Sequence, residues 1–313
     1  MAERGCPLRV AHYNVRVIPA RLFLRRSFRL GRLALHLLKG VTIAGLVLPI
    51  VSHARRDHLI CNWSGQLLKV LGVRLKAGPV PTHNGGALLV CNHVSWLDVY
   101  LIHAARRVYF VSKSEVRAWP VAGWLAHKSG TLFLERGRRA DTARINHAMR
   151  ELMQSGAWVA VFPEGTTGDG RELKRFLPSL LQPAVDLGCP IIPAALRYRT
   201  LAGDYCAAPA YIDDISMLQS LCRIISEPGI IAELCFGEPF MPDGHRRELA
   251  VRAESTVTQL LGASPTRDTQ PTAGLDAAAG GTLVKITADP PAAPQSIARP
   301  TDSPYPAQAD RGE

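Results

Sequence analysis

Residues 87–98 read Ala-Leu-Leu-Val-Cys-Asn-His-Val-Ser-Trp-Leu-Asp. The five consecutive apolar residues Ala87–Cys91 are too few for a helix and show no alternation, the pattern of a strand buried on both faces. Ser95 then opens a helical stretch to about Ala105, with Asp98 three residues on in a Ser-x-x-acid capping arrangement. Outward from this segment the same punctuation recurs. Short apolar runs at residues 108–111, 131–134, 158–162, 191–196 and 231–236 predict further strands. Between the third and fourth strands, residues 140–153 place Ile145, Met149 and Leu152 on one helical face. Between the fourth and fifth, residues 177–187 are expected to be helical despite Pro178 and Pro183. Strands alternating with helices predict an α/β fold with a mostly parallel central sheet flanked by helices.

Four polar residues stand where a core needs none. His93 follows the first strand, Lys113 the second, Arg136 the third and Glu164 the fourth. In a parallel sheet all four gather at the carboxyl edge, where α/β proteins bind their ligands.

The charge is unevenly distributed. The 313 residues carry 37 Lys and Arg against 26 Asp and Glu, a net charge of +11 with a mean hydropathy of +0.04. That hydropathy excludes a polytopic transporter, which needs many spans of about 20 apolar residues. Residues 1–39 hold nine basic groups and one acid, whereas residues 263–313 hold four basic and six acidic groups. The positive charge sits beside an apolar helical stretch without interleaved aromatics, which disfavours nucleic acid as the partner. Residues 40–51 run without a charge but contain Gly40, Gly45 and Pro49, and Arg55-Arg56 follow them. Basic residues on both flanks favour a hairpin lying in one leaflet, with a single span or a buried core helix as alternatives. Residues 59–73, apolar at Leu59, Trp63, Leu67, Val70 and Leu71, supply the return arm. The late start of the apolar run argues against a cleaved signal peptide. The expected organisation is a basic arm at 1–30, membrane-associated helices at 31–74 and a catalytic domain at 75–262. A tail at 263–313, with eight of the 23 prolines and neither Phe nor Trp, is expected to be disordered. The seven cysteines are scattered, without a C-x-x-C pair, so neither a disulfide framework nor a zinc site is expected. Cys91, inside an apolar run, is expected to be core rather than a nucleophile.

His93 and Asp98 form a His-x4-Asp pair. A neutral imidazole serves as a general base near pH 7 when a second group fixes its tautomer and orientation. Asp98, near a helix N-terminus that favours negative charge, is placed to accept the proton of one ring nitrogen and leave the other free.

The segment Asn92–Asp98 resembles the first signature of the glycerolipid acyltransferases, the family of the 1-acylglycerol-3-phosphate acyltransferases. Gly130-Thr-Leu-Phe133-Leu-Glu-Arg136 is similar to its second block, Phe162-Pro-Glu164-Gly165-Thr166 to its third and Ile191-Ile-Pro193-Ala-Ala195 to its fourth. Phe110-Val-Ser-Lys113 resembles the basic segment between the first two blocks. The resemblance covers about residues 60–240. It implies transfer of a fatty acyl group from acyl carrier protein or coenzyme A thioesters to a lysophospholipid, giving phosphatidic acid, at the cytoplasmic face of a bacterial inner membrane. It also implies catalysis by His93 and Asp98 and substrate binding by Asn92, Lys113, Arg136, Glu164, Gly165 and Thr166. Phe133 and Pro193 would lie near the acyl group, and neither a metal nor a bound cofactor would be required. Many members carry Arg where Thr167 follows Thr166 here, which leaves the head group open. Lyso-ornithine lipid is the alternative acceptor, and Arg171, Lys174 or Arg175 are candidate replacements for the missing cation. A membrane-bound scaffold without activity is the reading from another class, and the presence of both His93 and Asp98 argues against it.

Deleting residues 263–313 is expected to leave acyl transfer by the purified protein intact. Loss of activity in a truncated protein that still folds, judged by circular dichroism, would overturn the assignment of that tail.

Overall fold

Buried hydrophobic runs set the layers of this molecule. The structure is a computed structural model, and it describes residues 20–134 and 139–262, all within one compact unit. The segments 1–19 and 263–313, which include most of the basic arm and the proline-rich tail, lie outside the described residues. The described strands are β1 (Val73–Ala77), β2 (Ala87–Cys91), β3 (Tyr109–Lys113), β4 (Leu132–Leu134), β5 (Trp158–Val161), β6 (Ile191–Thr200) and β7 (Ile230–Phe236). They form one seven-stranded sheet in the order β1-β7-β6-β2-β5-β3-β4. Every neighbouring pair is parallel except β6 and β7. The expected α/β architecture is therefore present, with β1 and β7 running against the other five strands.

The helices are α1 (Ala20–Thr42), α2 (His53–Leu71), α3 (Leu97–Ala105), α4 (Ser114–Arg117), α5 (Ala122–Lys128), α6 (Arg139–Gln154), α7 (Gln182–Leu187), α8 (Met217–Ser226) and α9 (Arg246–Gly262). Strand β2 is central, and all five of its residues are fully buried. Its side chains alternate between two cores, as a pleated strand requires. Leu89 and Cys91 pack with Leu68 and Leu71 of α2, Leu101 of α3 and Ile225 of α8. Leu88 and Val90 pack with Met149 of α6 and Leu249 and Val257 of α9. Each fully buried Leu or Val contributes about 1.5–3 kcal/mol, so the continuous apolar run holds β2 in the middle of the sheet.

Several expectations change. The helix expected over 59–73 is present but ends two residues early. Helix α2 stops at Leu71, Gly72 takes the left-handed conformation (φ 81°), and β1 follows. The expected boundary at 74/75 therefore falls inside β1. Residues 177–187 divide into a 3-10 turn at Pro178–Leu181 and the short α7, because Pro183 sits in the first turn of α7, where a missing N–H costs nothing. Gly40 and Gly45 do not interrupt the N-terminal helix. Helix α1 passes directly into a π-helical turn, Ile43–Val47, and the resulting 28 residues, Ala20–Val47, are long and apolar enough to cross a membrane. Gly40 instead lets the helix approach α2, since a Cβ there would lie 2.7 Å from the Trp63 indole nitrogen.

Helix α1 is tied to the sheet domain by its basic residues. Arg25 and Arg29 donate to backbone carbonyls at the C-terminal end of α8, among them Ser226 (2.7 Å) and Glu227 (2.7 Å), and Arg26 donates to the Ser226 hydroxyl (2.7 Å). Arg29 also lies over Gly72, the C-cap of α2, where a Cβ would come within 2.1 Å of its guanidinium. One cation thus faces the negative ends of two helices. Further along, His36 and Trp63 stack with centroids 4.7 Å apart, and the Trp63 indole donates to the His36 carbonyl.

Arg29→Ala removes three donors to backbone carbonyls and is expected to lower stability by about 1–3 kcal/mol. The check is thermal melting together with hydrogen exchange, which should show faster exchange across α1 and the end of α8.

Candidate active site

The first site element is the step from β2 into α3. The side chain of Asn92 continues the sheet beyond the end of β2: its Nδ2 donates to the Leu196 carbonyl (3.0 Å) and its Oδ1 accepts the Leu196 N–H (2.7 Å). Asn92 was expected to contact substrate. It instead satisfies the backbone of β6, as a buried amide must, and only 2% of it is exposed.

His93 comes next and is held at three points. Its N–H donates to Oε1 of Glu164 (2.6 Å), its carbonyl accepts the Gly168 N–H (2.7 Å), and its ring stacks on Phe162 with centroids 3.9 Å apart and planes 9° apart. Nδ1 lies 2.8 Å from Oδ2 of Asp98. The same oxygen accepts the N–H groups of Val94 (2.7 Å) and Ser95 (2.9 Å), while Oδ1 accepts the Tyr198 hydroxyl (2.5 Å). Asp98 is fully buried and its carboxylate oxygens accept, so Nδ1 is the His93 ring nitrogen that donates to it. About 20% of the His93 side chain is exposed, so the imidazole is not sealed inside the core.

The expected cap on α3 forms in part. Helix α3 begins at Leu97, and Asp98 reaches back to the Ser95 N–H as the acid of a capping box does. The Ser95 hydroxyl takes the Leu97 N–H (3.3 Å) instead of that of Asp98.

Glu164 lies in the turn after β5. Its Oε1 holds His93, and its Oε2 accepts the Lys174 N–H (2.9 Å). Burial pushes its carboxyl up, and the two N–H donors, with His93 and Lys174 nearby, pull it part of the way back. Glu164 was expected to reach out to the acceptor's glycerol hydroxyls. Each of its oxygens accepts one backbone N–H, which fixes the turn and the backbone of His93. Gly165 supplies the left-handed conformation (φ 70°) that this turn needs, and Thr166 is exposed at its tip. The Thr167 hydroxyl donates to the Tyr211 carbonyl. Among the proposed replacement cations, Lys174 donates from Nζ to the Thr167 carbonyl (2.8 Å), and Arg171 lies over the Tyr205 ring, 4.3 Å from its centre. Lys113 closes β3 at the same carboxyl edge; its side chain, like the whole of Arg136, lies outside the described residues.

Phe133 and Pro193 are both buried and stand apart from the apolar cleft on the α1–α3 face. That cleft encloses about 570 Å3 including its mouth, and is lined by Ile43, Leu48, Leu59, Trp63, Tyr100 and Leu125 among others. Neither residue belongs to its lining. Pro193 faces the opposite core, where Gly237 approaches it. Sequence reading missed Tyr198. A tyrosine at the end of an apolar run gives no signal until β6 is folded beside α3. Among the described residues no cluster of His, Cys, Asp and Glu is arranged to hold a metal.

Comparison with known proteins agrees with this geometry. Residues 74–197 match the family model described as Acyltransferase. The chain is 36% identical over 206 residues, 65% of its length, to a 1-acyl-sn-glycerol-3-phosphate acyltransferase of Neisseria meningitidis, covering 80% of that protein. It is equally 36% identical to a lyso-ornithine lipid O-acyltransferase of Pseudomonas aeruginosa, covering 66% of this chain and 79% of that one. The crystal structure of the 1-acyl-sn-glycerophosphate acyltransferase PlsC from Thermotoga maritima superposes with a TM-score of 0.59 at 17% identity, over 79% of this chain and 98% of the other, and supports the fold. The chain therefore belongs to the acyltransferase family that contains the 1-acyl-sn-glycerol-3-phosphate acyltransferases, and it is an enzyme of that type.

Proposed function

We propose that the protein transfers a fatty acyl group from acyl carrier protein or coenzyme A thioester to the free hydroxyl of 1-acylglycerol-3-phosphate, giving phosphatidic acid. The observation that carries this reading is the His93–Asp98 pair at the carboxyl edge, with one ring nitrogen held by the carboxylate and the side chain partly exposed. Nε2 takes the proton of the acceptor hydroxyl as its oxygen attacks the thioester carbonyl. The C–S bond breaks as the tetrahedral intermediate collapses, and the departing thiolate recovers the proton from His93. General-base assistance of this kind contributes roughly 10²–10⁴ in rate. Asp98 holds the tautomer and stabilises the imidazolium that forms transiently. Arg136 and Lys113 pair with the phosphate, Arg through its planar fork, and Thr166, exposed at the tip of its own turn, is open to the acceptor. The reaction as written requires neither a metal nor a bound cofactor.

A second acceptor has a specific observation in its favour. Thr167 stands where many relatives have Arg, its hydroxyl is committed to Tyr211, and a relative at 36% identity is named a lyso-ornithine lipid O-acyltransferase. With that acceptor the cations would meet a carboxylate.

The enzyme works at a membrane in this reading. Helix α1 exposes Phe23, Leu24, Phe28, Leu35 and Leu38, and Leu46 is exposed in the π-helical turn that continues it. Such a row has no use in water and suits the acyl region of a leaflet. The apolar cleft between α1, α2 and α3 suits a fatty acyl chain. The basic residues on both flanks support a position of the catalytic domain on the cytoplasmic side.

His93→Ala and Asp98→Ala are each expected to lower kcat by at least 10²-fold while the protein still sediments with liposomes. Wild-type turnover in His93→Ala would overturn the mechanism. A panel of lysophosphatidic acid and lyso-ornithine lipid, with acyl carrier protein and coenzyme A thioesters and mass-spectrometric detection, decides the acceptor and the donor.

A further inference from the structure

The geometry points to Tyr198 as a positioning residue of the catalytic pair, holding Asp98 from the far side of the carboxylate so that His93 keeps one orientation. The inference rests on the reading of His93 as the base.

Tyr198 reaches Asp98 because β6 outruns its neighbour. Cys91, the last residue of β2, pairs with Ala194, and β6 continues six residues further to Thr200. The Asn92 side chain takes over where β2 stops, bonding both the N–H and the carbonyl of Leu196. This fixes the register two residues before Tyr198. Alternation along the strand then sends Tyr198 to the same face as Ile192, Ala194 and Leu196, the face on which α3 packs. The partner strand completes the hold. Arg197 and Arg199, whose side chains leave the other face, both meet Glu233 of β7 (3.4 and 3.0 Å), and the Tyr198 carbonyl accepts the Cys206 N–H (3.0 Å).

The phenol supplies what Asp98 lacks. Oδ2 has three donors, all from residues 93–95, whereas the Tyr198 hydroxyl is the donor at Oδ1. Asp98 is fully buried and Tyr198 is 4% exposed, so water does not replace that donor freely. Burial and the adjacent carboxylate push the Tyr198 phenol far above its ordinary value, which keeps the proton on tyrosine and the hydrogen bond directed towards Asp98. Without it the carboxylate is held through Oδ2 alone, and the Oδ1 edge loses the donor that limits its tilt and, through Oδ2, that of the imidazole.

The test is Tyr198→Phe in the full-length enzyme, assayed with the acceptor and donor that the panel selects. The expected result is a kcat reduced about tenfold to a hundredfold with KM unchanged, since loss of a hydrogen bond to a charged group acts here through the base and not through binding. The acidic limb of the kcat/KM profile should also move to higher pH. A carboxylate stripped of one donor holds the imidazolium more strongly, so the base is regained only at lower proton concentration. The other titratable groups facing the pair, Cys91 from β2 and Glu164 and Lys174 from the segment after β5, are unchanged in this variant. If Tyr198→Phe does not fold, 3-fluorotyrosine in place of Tyr198 preserves the packing and strengthens the donor. It is expected to move the same limb to lower pH. A parental kcat and pH profile in the variant that folds would overturn the inference. The reading of His93 as the base would survive that result, because it fails only if His93→Ala retains its turnover.

Discussion

A fully buried carboxylate cannot be left without donors, and the catalytic end of this protein is arranged around satisfying one. Placing an ionised group away from water costs several kcal/mol unless hydrogen bonds replace its hydration. Asp98 receives donors from the turn that leads into its own helix, from the imidazole of His93 and from the phenol of Tyr198. Each donor requires a particular piece of the fold. The turn requires β2 to end at Cys91, the imidazole requires its clamp on Glu164 and Phe162, and the phenol requires β6 to extend past β2. The polar residues Asn92 and Glu164 serve this arrangement by tying backbone to backbone. Of the two His93 ring nitrogens, the arrangement engages Nδ1 with Asp98.

The N-terminal helices add a second constraint, of the opposite kind. Among the described residues the apolar side chains Phe23, Leu24, Leu35 and Leu38 of α1 stay exposed, whereas several of its basic residues are engaged. Arg25, Arg26 and Arg29 are engaged with the carbonyl end of α8 and so contribute less to lipid attraction than the net charge of the segment implies. Electrostatics thus fasten the apolar helix to the catalytic domain, and hydrophobicity turns it outward. A helix fixed in this way sets the height and tilt of the active site above whatever surface the helix enters.

The strands were legible to different degrees for identifiable reasons. Strand β2 matched its expected bounds because a run buried on both faces carries its own signal. Strand β1 was not anticipated, and its first residue, Val73, falls at the end of the expected helix: the strand's Val-Arg-Leu-Lys-Ala pattern is polar on one side, and only Gly72 marks the break. Helices α8 and α9 were not anticipated. The capping box of Ser216 and Gln219 was available in the sequence to announce α8, but its helical stretch is short. Glycines at 40 and 45 looked like interruptions because propensity is local, whereas packing against Trp63 is not.

The sequence by itself determined the layered α/β fold, the His93–Asp98 pair and the position of His93, Lys113 and Glu164 at one sheet edge, since each depends on neighbours in the chain or on strand-end periodicity. The tertiary structure decided what those residues do with their atoms. It turned Asn92 and Glu164 inward to backbone partners, and it brought Tyr198 to Asp98 across one hundred positions of chain. It also committed the arginines of α1 to a helix end some two hundred residues away. Hydrogen bonds of this length in sequence are fixed by register and burial, and neither is written in the residues that make them.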